Sequence, residues 1–309
     1  MNLGYACINM SLSKNLPRGQ EKVTTNRSMI KRTYLQKGVA YASELSLKNC
    51  EDLEKIIEWN EQNNIKFFRM SSEIFPWASE HGIKALPDYD RIAEVLHRAG
   101  NKAKQYGQRL SFHPGPFNVL TSDKEKVVLN TIKDLSIHGE VMDLLDQPRT
   151  PYAKINIHVG ATYGDKPAAL ARFCENFHRL PDSVKSRLTV ENDDRASMYS
   201  TRELVEKVHS RIGIPVVHDL HHHTFCTGGL SNKDALGFAT KTWGDVKPVV
   251  HYSQSRAEEY GDATIMAKAH SDSYWTAVDT YGYDVDVMLE CKHKEQGLFK
   301  MRELLETKG

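Results

Sequence analysis

Arg187-Leu188-Thr189-Val190-Glu191-Asn192-Asp193, RLTVEND, is a short apolar run that stops in a carboxylate. Two segments with helical periodicity bracket it, PAALARFCENFHRL before and STRELVEKVHSRI after. A buried strand between two amphipathic helices is the unit of a parallel sheet, because parallel neighbours need a long crossover between them. Working outward, the unit repeats along the whole chain. Strands are expected at 3–8, 66–70, 109–112, 154–157, 187–190, 215–217, 248–250 and 284–289. Amphipathic segments such as CEDLEKIIEWNEQ, DYDRIAEVLHRAGNKAKQ, EKVVLNTIKDLSIHGEVMDLL and NKDALGFATKTW lie between them. Eight strands alternating with helices predict an α/β fold, a single (β/α)8 TIM barrel over residues 1–309 with its site at the C-terminal ends of the strands. A doubly wound open sheet is the alternative, but no GxGxxG follows the first strand.

The bulk properties narrow the function classes. No stretch approaches the roughly 18 apolar residues of a membrane span, and MNLGYACINM lacks the form of a signal peptide, so no membrane partner and an intracellular location are expected. That location would be the cytoplasm with its nucleoid in a bacterium, or the nucleus in a eukaryote. The five cysteines form no CxxC pair, which excludes a thiolate zinc site and leaves nitrogen and oxygen donors for any metal. A net charge of +1 gives no global argument for nucleic acid. The charge is uneven, however: between residues 11 and 40 stand Lys14, Arg18, Lys22, Arg27, Lys31, Arg32 and Lys37 against the one acid Glu21. This strip falls in the longest insertion, residues 9–43 after the first strand, and is suited to phosphates or to a solvated helix face.

The strand ends carry the chemistry. LSFHPG ends in His113, INIHVG in His158, LTVEND in Glu191, VVHDLHHH in Asp219, VVHYS in His251 and VMLECK in Glu290. In a barrel these six side chains converge on one axis. Burying several imidazoles and carboxylates together without a cation strands their charges and lone pairs at a cost of several kcal/mol. Divalent metal with mixed His and Asp/Glu ligation, Mn, Zn or Fe, resolves that cost. In Asp219-x-x-His222 the spacing lets the two side chains face neighbouring ions, while His218, His221 and His223 are expected to point elsewhere. The loop before the last strand adds His270 and Asp272. These donors suffice for three ions, a number suited to phosphodiester hydrolysis.

The motifs LGYACIN, FFRMSSEIFPWAS with His81 just beyond, LSFHPG, INIHVG, LTVENDD, HDLHHH, VVHYS, HSDS and DVMLECK run in this order from residue 3 to 292. In this set the chain resembles the UV damage endonuclease family, barrel enzymes similar in architecture to endonuclease IV. The resemblance implies nicking of double-stranded DNA immediately 5′ to cyclobutane pyrimidine dimers and 6-4 photoproducts by a metal-dependent hydrolase, expected to be a monomer. It implies that His113, His158, Glu191 and Glu290 hold one metal, that Glu191, Asp219, His251 and Glu290 hold a second, and that His222 and His270 hold a third, with manganese preferred and zinc acceptable. Glu191, His251, Glu290 and His81 are the implied catalytic residues, and Tyr5, Asn9, Pro116 and Phe117 the implied DNA or lesion contacts.

Two positions depart from the family. Pro116-Phe117 replaces its Gln-Tyr after the strand-three histidine, and Val249 stands where the family often has a lysine two residues before the strand-seven histidine. An abasic-site endonuclease, a xylose-isomerase-like sugar isomerase or epimerase, and a damage-binding protein without turnover are the alternatives. The basic strip and the aromatic loops at Phe75, Trp77 and Phe117 favour DNA over a sugar.

Overall fold

The computed structural model describes residues 1–14 and 16–308. All eight expected strands are present: β1 (Leu3–Ala6), β2 (Phe67–Arg69), β3 (Arg109–Ser111), β4 (Ile155–His158), β5 (Leu188–Glu191), β6 (Val216–Asp219), β7 (Val249–Tyr252) and β8 (Asp286–Leu289). They pair in parallel in the order β3-β2-β1-β8-β7-β6-β5-β4. The two ends of that order meet through a parallel bridge between Phe112 and Ile155, with Phe112 N–H donating to the Lys154 carbonyl (2.9 Å) and Asn156 N–H to the Phe112 carbonyl (3.0 Å). The sheet is thereby closed into the (β/α)8 barrel, with helices such as Tyr89–Gln105, Glu125–Leu144 and Lys166–Phe177 outside it. Among the described residues no helix is long and apolar enough to cross a membrane.

Strand alternation sorts the side chains into two cores. Outward residues such as Leu110, Ile155, Ile157, Leu188, Val190 and Val250 join the large cluster between sheet and helices. Inward residues fill the barrel itself. At its N-terminal end Phe67, Trp243, Val249 and Met288 pack together, and the buried Arg109 guanidinium bonds to Asp286 (3.3 Å) and to the carbonyls of Tyr152, Lys247 and Pro151. Toward the C-terminal end the filling turns polar, with Lys154, Asn156, Thr189, Glu191 and His251 all buried. The apolar plug below leaves this polar layer facing only the loops.

The ends of elements differ from expectation in ways that matter for the site. β1 stops at Ala6 rather than residue 8, because Cys7 takes a left-handed backbone (φ 71) and Ile8 N–H turns back to the Ala6 carbonyl. β6 and β7 run two residues further than expected, so Asp219 and His251 lie within strands. The insertion at 9–43 is about half helical: Met10–Ser13 forms a short turn, and the helix Lys31–Gln62 begins inside it, kinked at Gly38 (φ 65). Lys14, Arg18, Lys22, Lys31, Arg32 and Lys37 are exposed there. Arg27 is not a free cation, since Asp52 (2.7 Å) and the carbonyls of Thr24 and Lys22 hold it.

Candidate metal centre

Glu191 is the hub. It ends β5, fully buried, and its Oε2 lies 2.9 Å from His113 Nε2, 3.1 Å from His251 Nδ1 and 2.5 Å from Asn156 Nδ2. Its Oε1 lies 3.3 Å from His222 Nδ1. Glu290, just after β8, approaches the same His251 Nδ1 at 3.2 Å and His270 Nδ1 at 3.7 Å. Both glutamates therefore face one imidazole nitrogen. The imidazoles form an arc, with ring centroids 5.4 Å apart for His113 and His158, 5.6 Å for His158 and His222, and 6.2 Å for His222 and His270.

Supporting bonds aim these donors. Thr189 Oγ1 donates to Asn156 Oδ1 (2.7 Å), which turns the Asn156 amide onto Glu191. Asn192 brackets Asp219, accepting from its N–H (2.8 Å) and donating to its carbonyl (3.0 Å). Asp219 Oδ1 caps the turn Leu220–His223 through His222 N–H (2.7 Å), which fixes the Asp-x-x-His pair relative to each other. After β4, Gly160 takes φ +104, and a side chain there would run into Val119.

The donor set fits a divalent cation. Three groups of donor atoms lie within 4.8 Å of one another: His113, His158 and Glu191; His113, His251 and Glu290; and Glu191, Asp219 and His251. Buried Glu191 Oε1, Asp219 Oδ2, His158 Nδ1 and His251 Nδ1 have no hydrogen-bond partner, a costly arrangement that coordination would relieve. The titration behaviour agrees. Burial pushes the Glu191 carboxyl up, but His251 and His158 outweigh it and hold the group well below the usual carboxylate range. Glu290 is likewise held low against burial, by Arg69 and then His251. Burial drives His113 down to about 4, so it offers a free lone pair at neutral pH. His158 is also buried, yet Glu191, Asp193 and Asp219 raise it to about 9. The cluster borders a cavity of about 610 Å³ lined by Arg69, His113, His158, Asp193, His222 and Glu290.

A family model described as UV-endonuclease UvdE matches residues 1–309. The chain belongs to the UV-endonuclease family. It is 35% identical to the UV-damage endonuclease of Neurospora crassa over 88% of its length, and 33% identical to that of Schizosaccharomyces pombe over 97%. These matches cover 42% and 50% of the two fungal proteins, so the chain spans about half of them or less. The UV DNA damage endonuclease of Clostridium perfringens is 32% identical over 97% of this chain and 69% of its own. Among solved structures, that of SacUVDE superposes with a TM-score of 0.83 at 30% identity, covering 99% of this chain and 98% of its own. D-psicose 3-epimerase from Clostridium cellulolyticum H10 superposes at 0.53 with 13% identity over 99% of each chain, a likeness of fold alone.

In this member of the UV-endonuclease family the other expected site residues are dispersed. Pro116 and Phe117 stand at the mouth: Pro116 lines the metal-side cavity, while Phe117, 88% exposed, lines a neighbouring cleft of about 870 Å³. The expectation of direct DNA contact is corrected for Tyr5 and Asn9. Tyr5 points outward into the helical layer, fully buried, and donates to Asn60 Oδ1 (2.8 Å), because it is Gly4 and Ala6 that face the barrel interior. Asn9 is buried against the Tyr5 hydroxyl (3.0 Å) and caps the turn Met10–Ser13. His81 is not brought to the cluster either; its Nδ1 contacts the Gly82 carbonyl (2.8 Å) and its ring stacks on Tyr34. Asp272 accepts from Tyr260 (2.6 Å) and pairs with Arg256 (3.6 Å). His218 is buried and held by Thr201 (2.8 Å) and Asn232 (3.0 Å).

Two residues that sequence reasoning undervalued enter the centre. Arg69 bonds Glu290 and lines the cavity. Lys154, wholly buried, places Nζ 3.1 Å from His251 Nε2, and burial pushes its ammonium down to about 7. The signal for Lys154 and Asn156 was present: polar residues at alternate positions of the otherwise apolar KINIH run mark an inward face that is polar.

Proposed function

We propose that this protein hydrolyses the DNA phosphodiester immediately 5′ to UV photolesions, both cyclobutane pyrimidine dimers and 6-4 photoproducts. The observation that carries this reading is the set of buried donor atoms without hydrogen-bond partners on Glu191, Asp219, His158 and His251, beneath a cavity that His158 lines, in a chain that belongs to the UV-endonuclease family. His113, His158, Glu191 and Glu290 would hold one divalent ion, Glu191, Asp219, His251 and Glu290 a second, and His222 and His270 a third. Manganese is the favoured metal; zinc suits the same donors. Bound there, divalent metal supplies activation of water and neutralisation of charge on the phosphate and leaving oxygen.

The chain's own groups do the rest. Glu191 and Glu290, ionised across the neutral pH range, face His251 and complete the negative side of the site. Asn156 and Asn192 lock the orientation of Glu191 and Asp219. The exposed Phe117 ring wedges against bases at the lesion, where stacking is already weakened, while Pro116 removes the amide that a family Gln would offer. The six exposed basic residues between Lys14 and Lys37 hold the strand through its phosphates. The substrate implies work inside the cell, in the nucleoid or nucleus, and the chain acts as a monomer.

End-labelled duplexes carrying a thymine dimer, an abasic site or no lesion, incubated with the protein and Mn, separate the readings. A cut mapped immediately 5′ to the dimer is expected. Cutting at the abasic site alone assigns the abasic-site reading, and the absence of any lesion-dependent cut overturns the proposal.

A further inference from the structure

A second cavity, of about 400 Å³, opens between the end of β8 and the loop that carries His270. It shares Arg69 and Glu290 with the metal-side cavity, so the two communicate across that ion pair. Its remaining charged lining is Lys292 and Lys294. Among the described residues neither lysine makes an ion pair, unlike Lys48, Lys55, Arg98 and Lys102 elsewhere on the surface. Arg69 spends Nη1 on Glu290, and its buried Nε has no partner.

The backbone here is held in a costly shape. Lys294 has φ 53, a left-handed conformation that disfavours any non-glycine residue. Residual strain of this kind persists where the surroundings over-determine it, and they do so here. Lys292 N–H donates to the Ser271 carbonyl (3.0 Å) and His293 N–H to the Asp272 carbonyl (2.9 Å), which ties the segment to the neighbouring loop. Glu295, the next residue, is buried and accepts from Met10 N–H (2.8 Å) and Ser11 N–H (2.7 Å). Lys292 and Lys294 are thus presented on a fixed segment beside the metal cluster, with no carboxylate of their own.

We infer that this cavity is a phosphate subsite, in which Arg69, Lys292 and Lys294 hold the phosphodiester next to the one that is cut. The inference rests on the reading of the centre as a DNA phosphodiesterase. Glu290, the one acid in the lining, is already neutralised by Arg69, so the pocket presents net positive charge to a strand leaving the metal cluster. The exposed basic residues after β1 and these two lysines then grip the backbone at separate points.

The test uses the lysines, because Arg69 also touches a metal ligand. The rate of nicking at subsaturating dimer-containing duplex is measured between 50 and 200 mM salt for the Mn-loaded protein, for Lys292→Gln, for Lys294→Gln, for the double variant, and for Lys241→Gln/Lys300→Gln. The last pair removes the same charge from exposed positions: Lys241 precedes β7, at the N-terminal end of the barrel, and Lys300 lies within the C-terminal helix, past the β8 loop. The double variant is expected to flatten the log–log salt slope by about 0.9 for each phosphate it no longer neutralises, with the control pair keeping the wild-type slope. Circular dichroism and Mn titration confirm that each variant is folded, and the single variants replace the double one if it is not. A variant slope equal to wild type, or a control pair that flattens it equally, overturns the subsite. Wild-type protein without lesion-dependent nicking overturns instead the reading on which the subsite rests.

Discussion

Lys154 offers a perturbation whose two effects have opposite signs. Its amine titrates at 10.5 in an unfolded chain and at about 7 where burial holds it next to His251. The unfolded state therefore binds this proton more tightly, and native stability rises with pH between about 7 and 10.5 as the cost fades. At about 1.4 kcal/mol per tenfold in proton affinity, the cost at pH 7 is roughly 4 kcal/mol. Replacement by methionine, similar in length and apolar, removes it. Leaving His251 Nε2 unpaired returns about 1–3 kcal/mol. Metal-free Lys154→Met is thus expected to be more stable than wild type by about 1–3 kcal/mol at pH 7, with the advantage gone by pH 10.5. Metal binding moves the other way. For His251 to present Nδ1 to a metal, Nε2 must carry the proton and donate it to a partner, and Lys154 as a neutral amine is that partner. Its loss is expected to weaken Mn binding by about 10–100-fold. Urea unfolding with chelator at pH 7 and pH 10, together with calorimetric Mn titration, measures both. A variant that is less stable without metal at pH 7, or that binds Mn as tightly as wild type, refutes the reasoning.

Other consequences can be checked independently. His158 and His222 are both raised in the metal-free protein, His158 to about 9, so metal must displace their protons. Mn titrations near pH 7.5 in buffers of different ionisation enthalpy should report net release of about one proton or more, with affinity climbing as pH rises toward 9; an affinity independent of pH contradicts the ligand set. Phe117→Ala should change stability by less than about 0.5 kcal/mol, given its exposure. It should lower the ratio of cutting at dimers to cutting of undamaged duplex, and an unchanged ratio removes Phe117 from lesion recognition. Arg109→Met should cost about 3–5 kcal/mol in urea unfolding, because Asp286 is left buried without its guanidinium; a neutral change would show that the plug below the site tolerates an apolar replacement.

The barrel was legible because it is written in local periodicities. Apolar runs of four or five residues between helical segments need no knowledge of neighbours, and all eight appear where expected to within about three residues at either end. The histidine or carboxylate at the end of each strand from β3 to β8 could likewise be read off one at a time. What failed were expectations that depend on which way a side chain faces. Tyr5 sits in LGYA, and only the phase of β1, with Gly4 closing on Phe67 and Ala6 inward, turns its ring toward Asn60 and away from DNA. His81 follows a left-handed Trp77 that swings its helix onto Tyr34. Arg27 carried a charge suited to phosphates until Asp52, 25 positions later, neutralised it.

The sequence alone determined the (β/α)8 order and the inventory of nitrogen and oxygen donors, since period and residue type are local properties of a chain. Tertiary structure alone decided which donors meet. Barrel assembly brings His113 to Glu191 across 78 positions, sets Lys154 against His251 across 97 and, with β1 paired between β2 and β8, lays Arg69 on Glu290 across 221. Those pairings depend on barrel register and strand tilt, which no single segment encodes, and they are what turns a set of separate strand ends into one buried, charge-coupled site.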